Sequence, residues 1–206
     1  MSFKGTPPVN YINASPIRFE DIKEEFIASI APKPVSFENF WQMIIERRVS
    51  VIVMLTDLQE GGKRKSDQYW PDRDNIEMEI GSGISLKYES SSYQGVFITR
   101  QVNIILAVIF NLFTAFTNHN LNDRTIKVTK DSREISHVTH LQTKKWADLT
   151  APEDTKIMLD MVGAIRTISR AQASPEPILV HCSAGVGRTG TFIGVYKLIE
   201  DFYDEK

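Results

Sequence analysis

The chain has 206 residues, 42% of them hydrophobic, with 24 Lys and Arg against 26 Asp and Glu for a formal net charge of −2. That composition excludes a disordered chain and a nucleic-acid binder working through a strong net positive field, and the length suits one domain with a sizeable core. Cys182 is the single cysteine, so an intrachain disulfide is impossible and a disulfide-stapled scaffold is excluded.

In chain order, Met1 to Asn10 has no apolar core of the kind a signal peptide needs. Ser36 followed by Phe37, Phe40, Trp41, Ile44 and Ile45 predicts an N-capped amphipathic helix. Val49 to Thr56 is a β-branched run expected of a buried strand, and Glu60 to Lys65 is a glycine and charge cluster expected to turn. Strands are expected at Tyr93 to Val102, Thr125 to Thr129 and His137 to Gln142. The most apolar stretch, Ile104 to Phe116, is shorter than the roughly 18 residues a membrane span requires and contains Asn111 and Thr114. Pro152, Glu153 and Asp154 are expected to open a helix whose apolar positions are Ile157, Met161, Val162, Ile165 and Ile168, broken by Ser174 to Pro177. Ile178 to Val180 reads as a strand and Thr189 to Tyr203 as a helix. Strands alternating with helices predict an α/β fold with a mixed sheet covered on both faces.

The most informative segment is Ile178 to Gly194, ILVHCSAGVGRTGTFIG. A buried strand ends at His181, Cys182 follows at its carboxyl end, and Ser183, Ala184, Gly185, Val186 and Gly187 form a short flexible loop before a helix. Backbone N–H groups of such a loop converge on one point, and the helix N-terminus adds positive potential there, which makes an anion cradle. Arg188 offers a planar fork for two oxygens of a tetrahedral dianion. The same field stabilises a thiolate on Cys182, and a thiolate beside bound phosphate is a nucleophile with its substrate in place. Thr189 is placed to hydrogen-bond the sulfur and help it leave. His181 is read as orienting the loop rather than as a base.

The segment HCSAGVGRTG resembles the signature of the protein tyrosine phosphatases, the cysteine-dependent phosphotyrosine hydrolases. YINAS at Tyr11 to Ser15, Phe40-Trp41 with Val49 to Leu55, and EGGKRKSDQYWP at Glu60 to Pro71 resemble further motifs of the family in the same order. YINAS and QYWP point to its tyrosine-specific branch. The resemblance implies a central twisted mixed β-sheet flanked by helices, and a general acid on a Trp-Pro-Asp loop. It also implies a glutamate, here Glu60, paired with Arg188, and a lysine, here Lys65, approaching the acid. It implies no cofactor, a phosphotyrosine-containing protein as partner, and a cytoplasmic setting.

A literal Trp-Pro-Asp occurs at Trp70-Pro71-Asp72, but it belongs to the QYWP strand and is read as a decoy. The acid is expected in Trp146-Ala147-Asp148, which follows a strand, precedes a helix and lies upstream of Cys182 in family order. Asp148 is then the acid and Trp146 the hinge anchor. Ala147 replaces the family's proline and leaves φ free, so closure is expected to cost more entropy and lower turnover while phosphate binding survives. His137 and His140 point to opposite sides of a strand and no third ligand accompanies them, so no metal site is assigned. Phe40, Trp41, Tyr69 and Trp70 are read as core.

The resemblance also places a substrate-stacking loop before residue 1 and a water-positioning loop beyond Lys206. The expectation is a single incomplete phosphatase domain over 1–206, with an atypical apolar insertion at about 104–122, either a genuine packed helix or an unremoved intron. The runner-up function is a pseudophosphatase that binds phosphotyrosine without efficient turnover.

Overall fold

A computed structural model describes residues 11–93, 97–109 and 129–204. An eight-stranded mixed sheet runs β1 (Ala14–Ile17), β2 (Phe26–Ser29), β10 (Ile178–His181), β3 (Val51–Met54), β9 (Thr129–Gln142), β8 (Ile98–Ile109), β7 (Ile84–Tyr93), β6 (Glu77–Gly81) in spatial order. The pairs β2–β10, β10–β3 and β3–β9 are parallel, and the remaining neighbours are antiparallel. A two-stranded ribbon, β4 (Gln59–Glu60) and β5 (Lys63–Arg64), stands apart from it and turns through Gly61 and Gly62, both at positive φ.

Consecutive apolar residues make the central strands because both faces are covered. Val51, Val53, Ile178 and Val180 point to the side packed by α2 (Lys156–Ala171) and α3 (Gly187–Asp204), together with Phe26, Phe192, Ile193 and Tyr196. Ile52, Met54 and Leu179 point to the side covered by α1 (Phe37–Arg47) and by Tyr69, Trp70 and Val102. The alternation along β3 and β10 thus splits one apolar run between two cores. Among the described residues no helix is long and apolar enough to cross a membrane.

Several expectations require correction. Ser36 precedes α1 but makes no cap; its hydroxyl donates to the Lys33 carbonyl instead (3.0 Å). Tyr93 to Val102 is not one strand: Tyr93 ends β7 and Ile98 begins β8. Strands β6 and β7 carry many polar residues and no clean alternation, so they were not expected. Ile104 to Ile109, the first part of the expected insertion, is not helical but continues β8 and pairs with β9, so the strand exceeds its predicted length. Residues 1–10, the remainder of the expected insertion and 125–128 lie outside the described residues. Helix α2 begins at Lys156, whose N–H donates to the Asp154 carboxylate (2.8 Å), rather than at Pro152. Helix α3 begins at Gly187, two residues earlier than expected, which puts Arg188 in its first turn.

Candidate active site

Parallel strands place their carboxyl ends on one edge of the sheet, and β10, β3 and β9 are adjacent there. Each continues into a loop that carries a predicted site residue. β10 leads to Cys182, β3 to Glu60, and β9 to Trp146 and Asp148. Residues scattered over the sequence meet because ligand sites form outside the carboxyl ends of strands whose connections diverge.

The loop Cys182 to Gly187 is held by backbone and side-chain contacts on several sides. Ala31 N–H donates to the Ser183 carbonyl (3.1 Å), and the Ser183 hydroxyl donates to the Lys65 carbonyl (2.9 Å). Gly185 sits at φ +74, and a Cβ there would meet the Ser29 carbonyl oxygen at 2.4 Å, so only glycine fits. That close passage turns the Gly185 N–H onto Cys182 Sγ at 3.3 Å. Cys182 is 3% exposed. Burial opposes its ionisation, but the Thr189 hydroxyl and the backbone N–H groups of Thr189, Gly185 and Val186 outweigh it and hold the thiol below its ordinary pKa. Among the described residues the Thr189 oxygen completes no fully formed hydrogen bond, so it acts on the sulfur as a nearby dipole.

Arg188 is buried, and its Nη1 donates to Glu60 Oε1 (2.6 Å) and to the Trp146 carbonyl (2.7 Å). Its Nη2 stands 3.5 Å from Asp148 Oδ1, and its buried Nε–H has no hydrogen-bond partner among the described residues. Glu60 is desolvated, which opposes its charge, yet Arg188 and the Thr56 hydroxyl (2.6 Å) keep its carboxyl below the usual pKa. One edge of the guanidinium is therefore pinned while donors remain for an anion.

Lys65 reaches Asp148 at 2.5 Å, joining the β4–β5 ribbon to the loop after β9. This contact, with Arg188 and the Lys65 charge behind it, holds the Asp148 carboxyl below its ordinary pKa. Trp146 is buried, and its indole N–H donates to the Thr150 carbonyl (2.8 Å), while the Thr150 hydroxyl donates to the Ala147 carbonyl (2.9 Å). Leu149 takes a left-handed backbone, φ 59, with its side chain exposed. A non-glycine residue pays about 1–2 kcal/mol there, so the loop is held by its neighbours rather than by local preference.

Of the predicted site residues, Cys182, Ser183, Gly185, Arg188, Thr189, Glu60, Lys65, Trp146 and Asp148 come together here through the contacts above. Ala184, Val186 and Gly187 complete the loop. Asp72 is elsewhere: its carboxylate accepts from Gln68 (2.8 Å) and from the N–H groups of Asp74 and Asn75. Trp70 stacks on His140. Phe40, Trp41, Tyr69 and Trp70 are buried, as expected of core residues. His137 is exposed and His140 buried. His181 is fully buried, and burial lowers its pKa to about 4, so it is neutral near pH 7 and bonds the Cys182 carbonyl (3.0 Å). Thr56 and the hydroxyl of Tyr69 were missed as site residues. Both act across long sequence separations, and no local pattern marks them.

A thiol made acidic by backbone donors, an arginine whose Nε–H has no partner among the described residues, and an adjacent carboxyl form an anion cradle in which a thiolate can attack and a carboxyl can exchange a proton. Residues 3–206 match a family model described as protein-tyrosine phosphatase. The chain is 32% identical over 191 residues to a receptor-type tyrosine-protein phosphatase eta of Gallus gallus, covering 93% of this chain and 12% of that protein. It is 33% identical over 191 residues to receptor-type tyrosine-protein phosphatase C of Homo sapiens, covering 93% of this chain and 13% of that protein. The chain thus spans a small part of the curated relatives it matches. Among solved structures, a Trypanosoma cruzi protein tyrosine phosphatase superposes with TM-score 0.73 at 23% identity, over 100% of this chain and 63% of that one. A Trypanosoma brucei protein tyrosine phosphatase does so with TM-score 0.69 at 29% identity, over 91% of this chain and 58% of that one.

Proposed function

Because the chain belongs to the protein-tyrosine phosphatase family, we propose that it hydrolyses phosphotyrosine on proteins through a phosphocysteine intermediate. The observation that carries this reading is Arg188, pinned on Nη1 by Glu60 and the Trp146 carbonyl with its Nε–H unpartnered among the described residues, beside a thiol lowered in pKa.

The phosphate of the substrate takes the cradle, with Arg188 and the amides of Ser183 to Gly187 on its oxygens. Cys182 thiolate attacks phosphorus; the P–S bond forms as the P–O bond to tyrosine breaks, and Asp148 gives its proton to the departing oxygen. Water then attacks the phosphocysteine, Asp148 takes its proton, and the sulfur leaves as a thiolate stabilised by the loop N–H groups and the Thr189 dipole. In the resting site Asp148 is held ionised by Lys65. An arriving dianion competes for Arg188 and repels the carboxylate, both of which favour the protonated donor. No metal is assigned a part in these steps. Among the relatives, those named receptor-type place such a domain in larger proteins, and we assign this one to the cytoplasmic side.

The test is phosphate release from a phosphotyrosine peptide by the purified chain, with Cys182→Ser as control. Release by the parent and none by the variant is expected, with peptide binding retained, since a serine hydroxyl stays protonated near neutral pH. Release by Cys182→Ser would refute the covalent route. Tight binding by both proteins without release by either would make the chain a phosphotyrosine-binding module instead.

A further inference from the structure

Behind the cysteine loop lies a buried row of polar side chains that neither the nucleophile nor the acid uses. Arg100 Nη1 stands 3.2 Å from His140 Nδ1, and His140 Nε2 stands 3.0 Å from the Tyr69 hydroxyl. The same hydroxyl stands 2.6 Å from His181 Nε2, and His181 Nδ1 stands 3.0 Å from the Cys182 carbonyl oxygen. Tyr69 and His181 are 0% exposed and His140 is 2% exposed. Trp70 closes the row, stacked on His140 with Arg100 over its ring.

The direction of this row follows from its members. Arg100 can only donate, so His140 Nδ1 accepts. Burial, together with the charge of Arg100 and the neighbouring His181, keeps His140 neutral, so its one proton is on Nε2 and goes to the Tyr69 oxygen. Tyr69 has a single phenolic proton and two imidazole neighbours. With His140 already donating, that proton goes to His181 Nε2. His181, also neutral, then carries its proton on Nδ1 and donates to the Cys182 carbonyl, which can only accept.

We propose that Arg100 is a positioning residue that sends the Tyr69 proton to His181 and so locks the cysteine loop in the form that presents the thiolate. Without its donor, His140 is free to carry the proton on Nδ1 and take the Tyr69 proton at Nε2. His181 then turns to the Nε2–H tautomer and sets a lone pair against the Cys182 carbonyl oxygen. The loop loses the bond that holds its first peptide, and Gly185 N–H loses its alignment on the sulfur. Arg100 is faced by Tyr69, Asp72 and Tyr88, and its Nη2 donates to Gln142 (3.0 Å); His140 is faced by Arg100 and His181. The consequence for catalysis rests on Cys182 being the nucleophile, but the row itself is tested without turnover.

Two readouts serve: imidazole 15N shifts, which report the His181 tautomer, and the pH dependence of Cys182 alkylation by iodoacetate, which reports the thiolate. Arg100→Met is expected to give mixed His181 tautomers and to slow alkylation at pH 6 about three- to tenfold, the worth of one neutral hydrogen bond. Arg100→Lys keeps a cationic donor and is expected to restore one tautomer and the parent rate. Tyr69→Phe removes the shared proton, and Arg100→Met added to it is expected to change alkylation no further. A single Nδ1–H tautomer and an unmoved alkylation profile in Arg100→Met overturn the proposal, as does a full Arg100→Met effect in the Tyr69→Phe background. If Arg100→Met does not melt cooperatively, Tyr69→Phe alone decides, because an unchanged His181 tautomer there also overturns it. A chain that releases no phosphate yet shows these shifts would refute the hydrolase reading and leave the row standing.

Discussion

Gly185→Ala is the smallest change that should disable the cradle. A Cβ built there lies 2.4 Å from the Ser29 oxygen, 2.5 Å from its carbonyl carbon and 2.6 Å from Ile30 N, whereas real Cβ atoms keep at least 3.0 Å. The loop or the strand must therefore move by at least 0.6 Å, the difference between 3.0 and 2.4 Å. Ser29 is buried and paired on both sides, to Ala14 and to His181, so the loop is the part that yields. A left-handed alanine costs about 1–2 kcal/mol and the overlap about 1–3, offset by about 0.4–1 from the less flexible unfolded chain, for a net loss of about 1–4.6 kcal/mol. Moving the loop also takes Gly185 N–H off the sulfur and off any bound anion. One hydrogen bond to a charged group is worth about 1.5–3 kcal/mol, so vanadate affinity should fall about ten- to a hundredfold. Urea unfolding and vanadate titration measure the two effects. A variant within about 1 kcal/mol of the parent, below the overpacking and left-handed costs combined, that also binds vanadate undiminished would refute the reasoning.

Asp148→Asn should lower phosphotyrosine turnover by about 10²–10⁴, whereas Asp72→Asn, which changes a turn, should leave it within about twofold; the reverse pattern would identify the literal Trp-Pro-Asp as the acid. Lys65→Met removes the main cause that depresses the Asp148 pKa. That pKa should rise, more of the acid stays protonated at high pH, and the basic limb of kcat/KM should move to higher pH; a move to lower pH would contradict the assignment. Glu60→Gln leaves Arg188, whose side chain is 4% exposed, without its carboxylate, and should destabilise the protein by about 3 kcal/mol in urea unfolding. A loss under about 0.5 kcal/mol, the range of ordinary surface substitutions, would show that the pair is not needed.

The cysteine loop was legible because its requirements are local. A strand, a tight small-residue loop and a helix N-terminus lie within one short segment, and a backbone anion site needs nothing from elsewhere except the groove that Gly185 enters. The two central strands were legible for the same reason, since an uninterrupted β-branched run is stable only when both faces are covered. The polar strands β6 and β7 and the long pairing of β8 with β9 were not, because their support comes from neighbouring strands rather than from hydrophobic period. No local pattern encodes which charged groups meet; the family resemblance implied the pairs, and the order of the strands brings them about. Glu60 and Arg188 are joined because β3 and β10 end side by side, and Lys65 meets Asp148 because β9 lies beyond β3 in the same parallel set. Tertiary structure alone decided that Tyr69, read from the sequence as core, joins His140 and His181 in a directed chain from Arg100 to the Cys182 carbonyl. Periodicity records which side of an element is buried, while the partner of a buried polar group depends on the order of strands in the sheet, which no local pattern encodes.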